Sequence, residues 1–331
     1  MLIGITGSTG FLGRNVLGAL TLPTGTRVRC LVRHDMPREG QEQIERMPGD
    51  LMSEADCEEF VDGLDVIIHL AQSNSPATSD RHWPSDFAAN MAPSLNLLEA
   101  LRRRGGKASH LVFASSGGAV YGRRGADRRA LRETDECLPL SPYGIQKLAV
   151  EHYLRTACDQ GWLRATVLRI GNAYGCLLSA ERRQGLIGVA MARLLAGQPV
   201  RIFGPLATVR DYVHVDDVAR AFDSALACDG QLSAESNFRI FNIGSGSGHS
   251  VEEVLALIGR VTSRDIPTET SGFGSATISS VPAIVLDINK AARELGWTPR
   301  VELRDGIAAM HASGLHGTPS PRAVPGPVIG P

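Results

Sequence analysis

Residues 3–13 read Ile3-Gly4-Ile5-Thr6-Gly7-Ser8-Thr9-Gly10-Phe11-Leu12-Gly13. An apolar run of strand length passes into a turn with glycine at every third position, and an apolar helical pattern follows. Gly7, Gly10 and Gly13 are spaced G-x-x-G-x-x-G. In a strand-turn-helix unit such glycines let a pyrophosphate approach backbone N–H groups at the helix N-terminus, where a side chain would block it. The opening of the chain therefore reads as the entry to a dinucleotide-binding unit.

Outward from this turn, strand-like runs recur at Leu2–Thr6, Arg27–Val32, Val66–Leu70, His110–Ala114 and Thr166–Arg169, with room for a crossover helix between them. That alternation predicts an α/β fold: a Rossmann-type, doubly wound parallel sheet with a smaller C-terminal α/β lobe. The expected division is a dinucleotide-binding domain over 1–175, with segments of about 205–245 returning to it. A lobe over 176–311 and a flexible Pro/Gly-rich tail over 314–331 complete the chain. Between Ser85 and Arg104 the apolar positions Phe87, Met91, Leu95, Leu98 and Leu101 keep helical spacing, and Arg102, Arg103 and Arg104 suit a solvated helix end.

With 34 Lys+Arg against 35 Asp+Glu in 331 residues, the charge balance offers no broad attraction to nucleic acid or an anionic membrane. The six cysteines, Cys30, Cys57, Cys137, Cys158, Cys176 and Cys228, form no C-x-x-C pair, so reduced thiols and no metal site are expected. No apolar run is long enough to span a bilayer and no secretory leader is evident, which predicts a soluble, cytoplasmic protein.

A second stretch carries chemistry: Ser141-Pro142-Tyr143-Gly144-Ile145-Gln146-Lys147. Ser141-Pro142 opens a helix, and the i, i+4 spacing puts Tyr143 and Lys147 on one face. A free tyrosine, with a pKa of about 10, is a poor base, and lowering it by about three pH units takes roughly 4 kcal/mol. A neighbouring ammonium and an oxidised nicotinamide both supply such stabilisation. The preceding run Phe113-Ala114-Ser115-Ser116 can bring a hydroxyl to the same pocket.

Together with Gly49-Asp50-Leu51, His69-Leu70-Ala71, Ser115 through Gly122, Leu168 through Gly175, Arg210 through Asp217, Phe241 through Gly244 and Leu295 through Pro299, these motifs cover about residues 1–311. In this order they resemble the extended short-chain dehydrogenase/reductases, and within them the nucleotide-sugar epimerase/dehydratase family. The resemblance implies Tyr143 as catalytic base, Lys147 as the residue that lowers its pKa and holds the nicotinamide ribose, and Ser116 as the hydroxyl that orients the sugar. Ser115 is the fallback, because Gly117 stands where many epimerases carry serine or threonine. For the cofactor it implies Gly7, Gly10, Phe11, Leu12, Gly13, Asp50, Leu51, Leu70, Ala71, Gln72 and Asn90, besides Tyr143 and Lys147. For the substrate it implies Asn172, Phe203 and Arg210, the last clamping a diphosphate. His214, Asp216 and Asp217 read as a strand-to-helix turn with Asp capping, and Asp287 as a helix cap.

Two departures bear on specificity. Where an acidic residue binds the adenosine ribose, this chain has Arg33, with Asp35 close behind, so NAD versus NADP stays open. Thr277 and Ser280 stand where the family has an arginine and an aspartate for the nucleotide. The implied activity is a nucleotide-sugar 4-epimerase, with a UDP-hexose as substrate, NAD as cofactor and a homodimer built on a helical bundle. A second expectation is an NADP-dependent reductase of a 4-keto-6-deoxy nucleotide sugar. A third is a dinucleotide-binding protein that has lost catalysis.

Overall fold

The computed structural model describes residues 1–33, 43–73, 82–104, 109–122, 129–182, 184–228, 237–270 and 281–315. Its strands are β1 (Leu2–Thr6), β2 (Arg27–Val32), β3 (Ile44–Pro48), β4 (Val66–His69), β5 (Ser109–Ser116), β6 (Leu163–Ile170), β7 (Asn172–Tyr174), β8 (Val200–Ile202), β9 (Val209–His214), β10 (Phe238–Ile243), β11 (Gly248–Ser250), β12 (Thr268–Thr270) and β13 (Ala283–Ile284). The helices are α1 (Phe11–Ala19), α2 (Glu54–Val61), α3 (Trp83–Arg103), α4 (Gly117–Val120), α5 (Pro142–Asp159), α6 (Leu186–Leu195), α7 (Val215–Ala227), α8 (Val251–Thr262), α9 (Asn289–Leu295) and α10 (Leu303–Leu315).

Seven strands form one parallel sheet in the order β10-β6-β5-β4-β1-β2-β3. All four residues of β4 are buried, as a strand covered on both faces requires. One face packs Ile3, Ile5, Val112 and Phe241 against Val16 of α1, Phe222 of α7 and Trp297. The other packs Ile67, Leu111, Phe113 and Val167 against Phe60 of α2, Leu97 of α3 and Leu154 of α5. Strand order reverses between β1 and β4, and in open α/β sheets that switch point opens a crevice at the carboxyl ends of the strands. The doubly wound fold read from the sequence is the one observed.

The remaining strands build a smaller lobe: β11-β9-β13 with β7 on β9, and a β8/β12 pair. Helices α6, α8 and α10 close around Ile187, Met191, Leu255, Ile258, Ile307 and Met310. Of residues 205–245, α7 and β10 pack with the large sheet, whereas β9 pairs inside the small one. No described helix is long and apolar enough to cross a membrane.

Several local expectations change. β3, Ile-Glu-Arg-Met-Pro, lacks an apolar run because it is an edge strand, exposed on one side. The arginines that end α3 are solvated as expected and also paired. Arg103 pairs with Glu54 and Glu58 of α2 at 3.0 and 2.9 Å, and Arg104 donates to the carbonyls of Val61 and Leu64. His214 caps α7, its Nδ1 accepting from the Asp216 N–H at 3.3 Å. Asp217, fully buried, accepts instead from Arg220 and from the N–H groups of Arg300 and Val301 at 3.0 Å each. Ile288 is the cap residue of α9, and Asp287 accepts from the Asn289 N–H beside it. α10 runs through Leu315, past the expected start of the tail; residues 316–331 lie outside the described residues.

Asp217 thus fastens the segment after Trp297 to α7. Asp217→Ala leaves the part-buried N–H groups of Arg300 and Val301 without their carboxylate partner and should lower unfolding free energy by about 2 kcal/mol. Urea denaturation of the variant beside the parent protein measures this.

Candidate active site

β1 ends at Thr6, and the turn that follows is sterically exacting. Gly7 has φ +72°, and a Cβ there would lie 2.7 Å from the Ala71 nitrogen. A Cβ on Gly13 would lie 2.1 Å from the Gly7 carbonyl oxygen. α1 starts after Gly10 with no side chain capping it and no acid in its first turn. Bare N–H groups at a helix start, reached over glycines, fit the pyrophosphate of a dinucleotide.

A buried hydrogen-bond chain fixes this turn to its neighbours. The Ala71 N–H donates to Thr6 Oγ1 (3.3 Å), Thr6 Oγ1 meets His69 Nδ1 (2.7 Å), His69 Nε2 meets Ser94 Oγ (3.0 Å), and Ser94 donates to the Asn90 carbonyl (3.1 Å). Burial, helped by the charge of Lys147, pushes His69 down to about 3, so the ring is neutral. Since Ser94 spends its proton on Asn90, the partners assign the ring proton to Nε2 and the accepting role to Nδ1.

At the carboxyl ends of β4, β5 and β6 a cleft of about 710 Å³ opens toward the small lobe. Phe11, Leu12, Leu70, Gln72, Ser116, Tyr143, Lys147, Asn172, Phe203 and Arg210 line it, so most of the expected site residues meet in one cavity. Ser141 opens α5 by accepting from the Gly144 N–H at 3.1 Å, with Pro142 in the first turn. Tyr143 is hydrogen-bonded to Ser116, and the Lys147 ammonium lies 5.9 Å from the Tyr143 ring centre while donating to the Ala114 carbonyl at 2.8 Å.

Electrostatics in this cleft are governed by burial. Burial pushes Tyr143 up to about 12, opposed in part by the Ser116 hydrogen bond. It pushes Lys147 down to about 7, opposed by the Glu151 carboxylate. With the ammonium alone beside it, Tyr143 is a neutral phenol.

The two serines are separated by their partners. Ser115 donates to Glu151, which also holds Arg169 at 2.6 Å, whereas Ser116 bonds Tyr143. A side chain at position 117 is blocked, since a Cβ there would lie 2.7 Å from a Leu286 methyl and 3.0 Å from the Arg169 carbonyl oxygen. Ser116 is therefore the hydroxyl in reach of Tyr143.

Arg33, Asp50, Leu51 and Asn90 stand apart from the cleft lining, and Arg210 lines it with bonds of its own. Arg33 is exposed just after β2, and His34 and Asp35 lie outside the described residues, as do Thr277 and Ser280. Asp50 is exposed and accepts from the Met52 N–H at 3.0 Å within its own turn. Leu51 is buried in the core beside Phe60. The Asn90 amide is used structurally, its Oδ1 accepting from Ser73 N (2.8 Å) and its Nδ2 donating to the Asp86 carbonyl (3.0 Å), which clasps the segment after β4 to α3. Arg210 donates to the carbonyls of Val209 and Val281, and burial lowers its pKa. Its neighbour Asp211 anchors β9 by accepting from Ser245, Gly246 and Leu286. Sequence reading missed Arg182 and Gln184, which also line the cleft. Their one signal is polarity just before the glycine that starts α6.

Residues 3–244 match the NAD dependent epimerase/dehydratase family, and the chain belongs to it. It is 31% identical to the dTDP-4-dehydro-6-deoxyglucose reductase of Escherichia coli over 74% of this chain and 73% of that protein. Among solved structures it is similar to the UDP-glucose 4-epimerase of Thermotoga maritima with UDP-glucose (31% identity, TM-score 0.81, 94% of this chain and 98% of that one). It is equally similar to the UDP-glucose 4-epimerase of Thermus thermophilus in complex with NAD (31%, 0.81, 96% and 100%).

The Lys147 shift has a stability consequence. Between about pH 7 and the usual lysine value of 10.5 the unfolded chain binds a proton at this position that the folded chain does not, so stability rises with pH across that window. Lys147→Met removes the effect. Its melting temperature relative to the parent should be most favourable near pH 6 and decline steadily toward pH 10 in ligand-free thermal scans.

Proposed function

We propose that this chain is a nucleotide-sugar 4-epimerase that acts on a UDP-hexose and uses NAD. The observation that carries the reading is one cleft lined by Phe11 and Leu12 at the helix start that follows the glycine turn, by the Tyr143–Ser116–Lys147 cluster and by the arginine Arg210. Similarity to two UDP-glucose 4-epimerases along nearly the whole chain supports it. By the same reading residues 1–175, with α7 and β10, form the cofactor domain and residues 176–311 chiefly the substrate lobe.

Gly7, Gly10, Phe11, Leu12 and Gly13 would hold the pyrophosphate, with Leu70, Ala71 and Gln72 beside the rest of the cofactor. When bound, the nicotinamide supplies a reversible hydride acceptor for sugar C4. Tyr143 takes the proton of the C4 hydroxyl and returns it to the same oxygen after the 4-keto sugar has turned over. Ser116 orients that oxygen. Lys147 uses one of its three N–H donors on Ala114, leaving two for the ribose hydroxyls. Asn172 and Arg210 hold the diphosphate, and Phe203 lies near the uracil. No proton is gained or lost overall.

A second reading has its own support in Arg33 and in the similarity to the Escherichia coli reductase: an NADP-dependent reductase of a 4-keto-6-deoxy nucleotide sugar. Proton NMR separates the two. UDP-glucose and UDP-galactose should interconvert over many turnovers with no reductant added. Turnover confined to 4-keto-6-deoxy sugars with NADPH consumed would favour the reductase. Tyr143→Phe should reduce the epimerase rate by a factor on the order of 10³ while the fold persists, and near-parental activity would sink the assignment.

The same reading makes the protein a cytoplasmic homodimer. Its six thiols are free. Trp83 and Phe87 of α3 and Ile145 and Tyr153 of α5 are at least half exposed, and on two helices packed side by side they suit a four-helix bundle with a second copy. Light scattering at micromolar concentration should give twice the chain mass, and Phe87→Glu with Ile145→Glu should halve it.

A further inference from the structure

Three side chains one helical turn apart on α5 grip three successive residues at the end of β5. Tyr143 bonds Ser116, Lys147 bonds the Ala114 carbonyl at 2.8 Å, and Glu151 takes the Ser115 hydroxyl. The first two belong to the site already described. Glu151 does not line the cleft, and Ser115, which borders it, turns its hydroxyl to Glu151: both are buried, and Glu151 is bound on its far side by Arg169 through contacts of 2.6 and 3.2 Å. Arg169 in turn donates to Tyr121, whose hydroxyl donates to Asn242.

We propose that Glu151 is a positioning residue of the active site, holding Ser115 so that Ser116 and the Ala114 carbonyl keep their register against Tyr143 and Lys147. The proposal rests on the epimerase reading for its kinetic test. Two features make it more than a buried ion pair. Ser115 lies between the two β5 residues that the catalytic pair engages, so loosening it frees both at once. Glu151 is also the carboxylate on the helix turn next to Lys147. Among the described residues, the other titratable groups close to that ammonium are Tyr143 on α5 and the neutral His69 on β4; Arg169 on β6 is committed to Glu151. α3 presents Asp86 to Gln146 at 2.7 Å beside it.

Two variants divide the roles. Ser115→Ala keeps the ion pair and removes the tether to β5. With UDP-glucose as substrate, kcat should fall on the order of tenfold while KM stays within twofold, because a misplaced Ser116 harms the reacting geometry and not substrate capture. Glu151→Gln should lower kcat further and move the alkaline limb of the kcat profile to lower pH, since Lys147 loses the charge that keeps it protonated. Glu151→Asp should recover part of the rate. Competitive amine labelling of Lys147 against pH, read by mass spectrometry, needs no turnover: its midpoint should drop in Glu151→Gln and stay in Ser115→Ala. Folded variants with parental kcat, an unmoved limb and unmoved labelling overturn the proposal. If Glu151→Gln does not fold, Ser115→Ala alone decides it, parental kcat being the overturning result. If the parent turns over no UDP-hexose, the functional reading fails and the labelling midpoints still test the inference.

Discussion

A buried ion pair underlies the catalytic end of the sheet. Arg169 on β6 and Glu151 on α5 are each about 95% or more buried, at 2.6 Å. Desolvating two charges costs several kcal/mol each, and attraction offsets that only when the remaining donors and acceptors are also met. Here they are met. Ser115 supplies Glu151, and Tyr121 and the Glu133 carbonyl receive Arg169. Asn242 of β10 extends the network by accepting from Tyr121 and donating to Leu131 and Asp287. The result ties α5, three neighbouring strands and the segment around Leu131 into one polar unit directly beneath the cleft. Breaking it from one side would leave a buried charge alone, so the helix that carries Tyr143 has little freedom to shift.

Around this unit the fold places chemistry where parallel sheets place it. The carboxyl ends of β1, β4, β5 and β6 face the small lobe, and the cleft is the gap between them. Phe11 and Leu12 at the start of α1 and Arg210 on β9 all line it. Asp211, whose carboxylate accepts four hydrogen bonds from Ser245, Gly246 and Leu286, keeps β9 in place although burial raises its pKa. The site thus rests on strand ends and helix starts with buried polar anchors, the arrangement that holds side chains within small tolerances.

Much of this was legible in the chain because the signals were local. A strand, a glycine-spaced turn and a helix follow one another without a break from Leu2 to Ala19, and the Tyr143/Lys147 pair needs only one helical turn. What sequence could not separate were neighbours alike in type and different in partner. Ser115 and Ser116 are told apart by Glu151, 36 residues on from Ser115. Asn90 looks like a ligand contact until its amide is seen on Ser73 and Asp86. Arg103 looks like a solvated helix end until α2 is folded beside it with Glu54 and Glu58. Glu151 for Ser115, Ser73 for Asn90 and Glu54 with Glu58 for Arg103 are partners distant in sequence, and no periodicity encodes those.

The chain of bonds from Ala71 through Thr6, His69 and Ser94 to Asn90 has one direction: every hydroxyl and ring nitrogen passes its hydrogen the same way, and the last acceptor is a main-chain carbonyl. A wire that ends on an amide oxygen conducts nothing. The histidine nearest Lys147 is therefore insulation and not a relay, and a proton lifted from a bound sugar has no route into the protein through it.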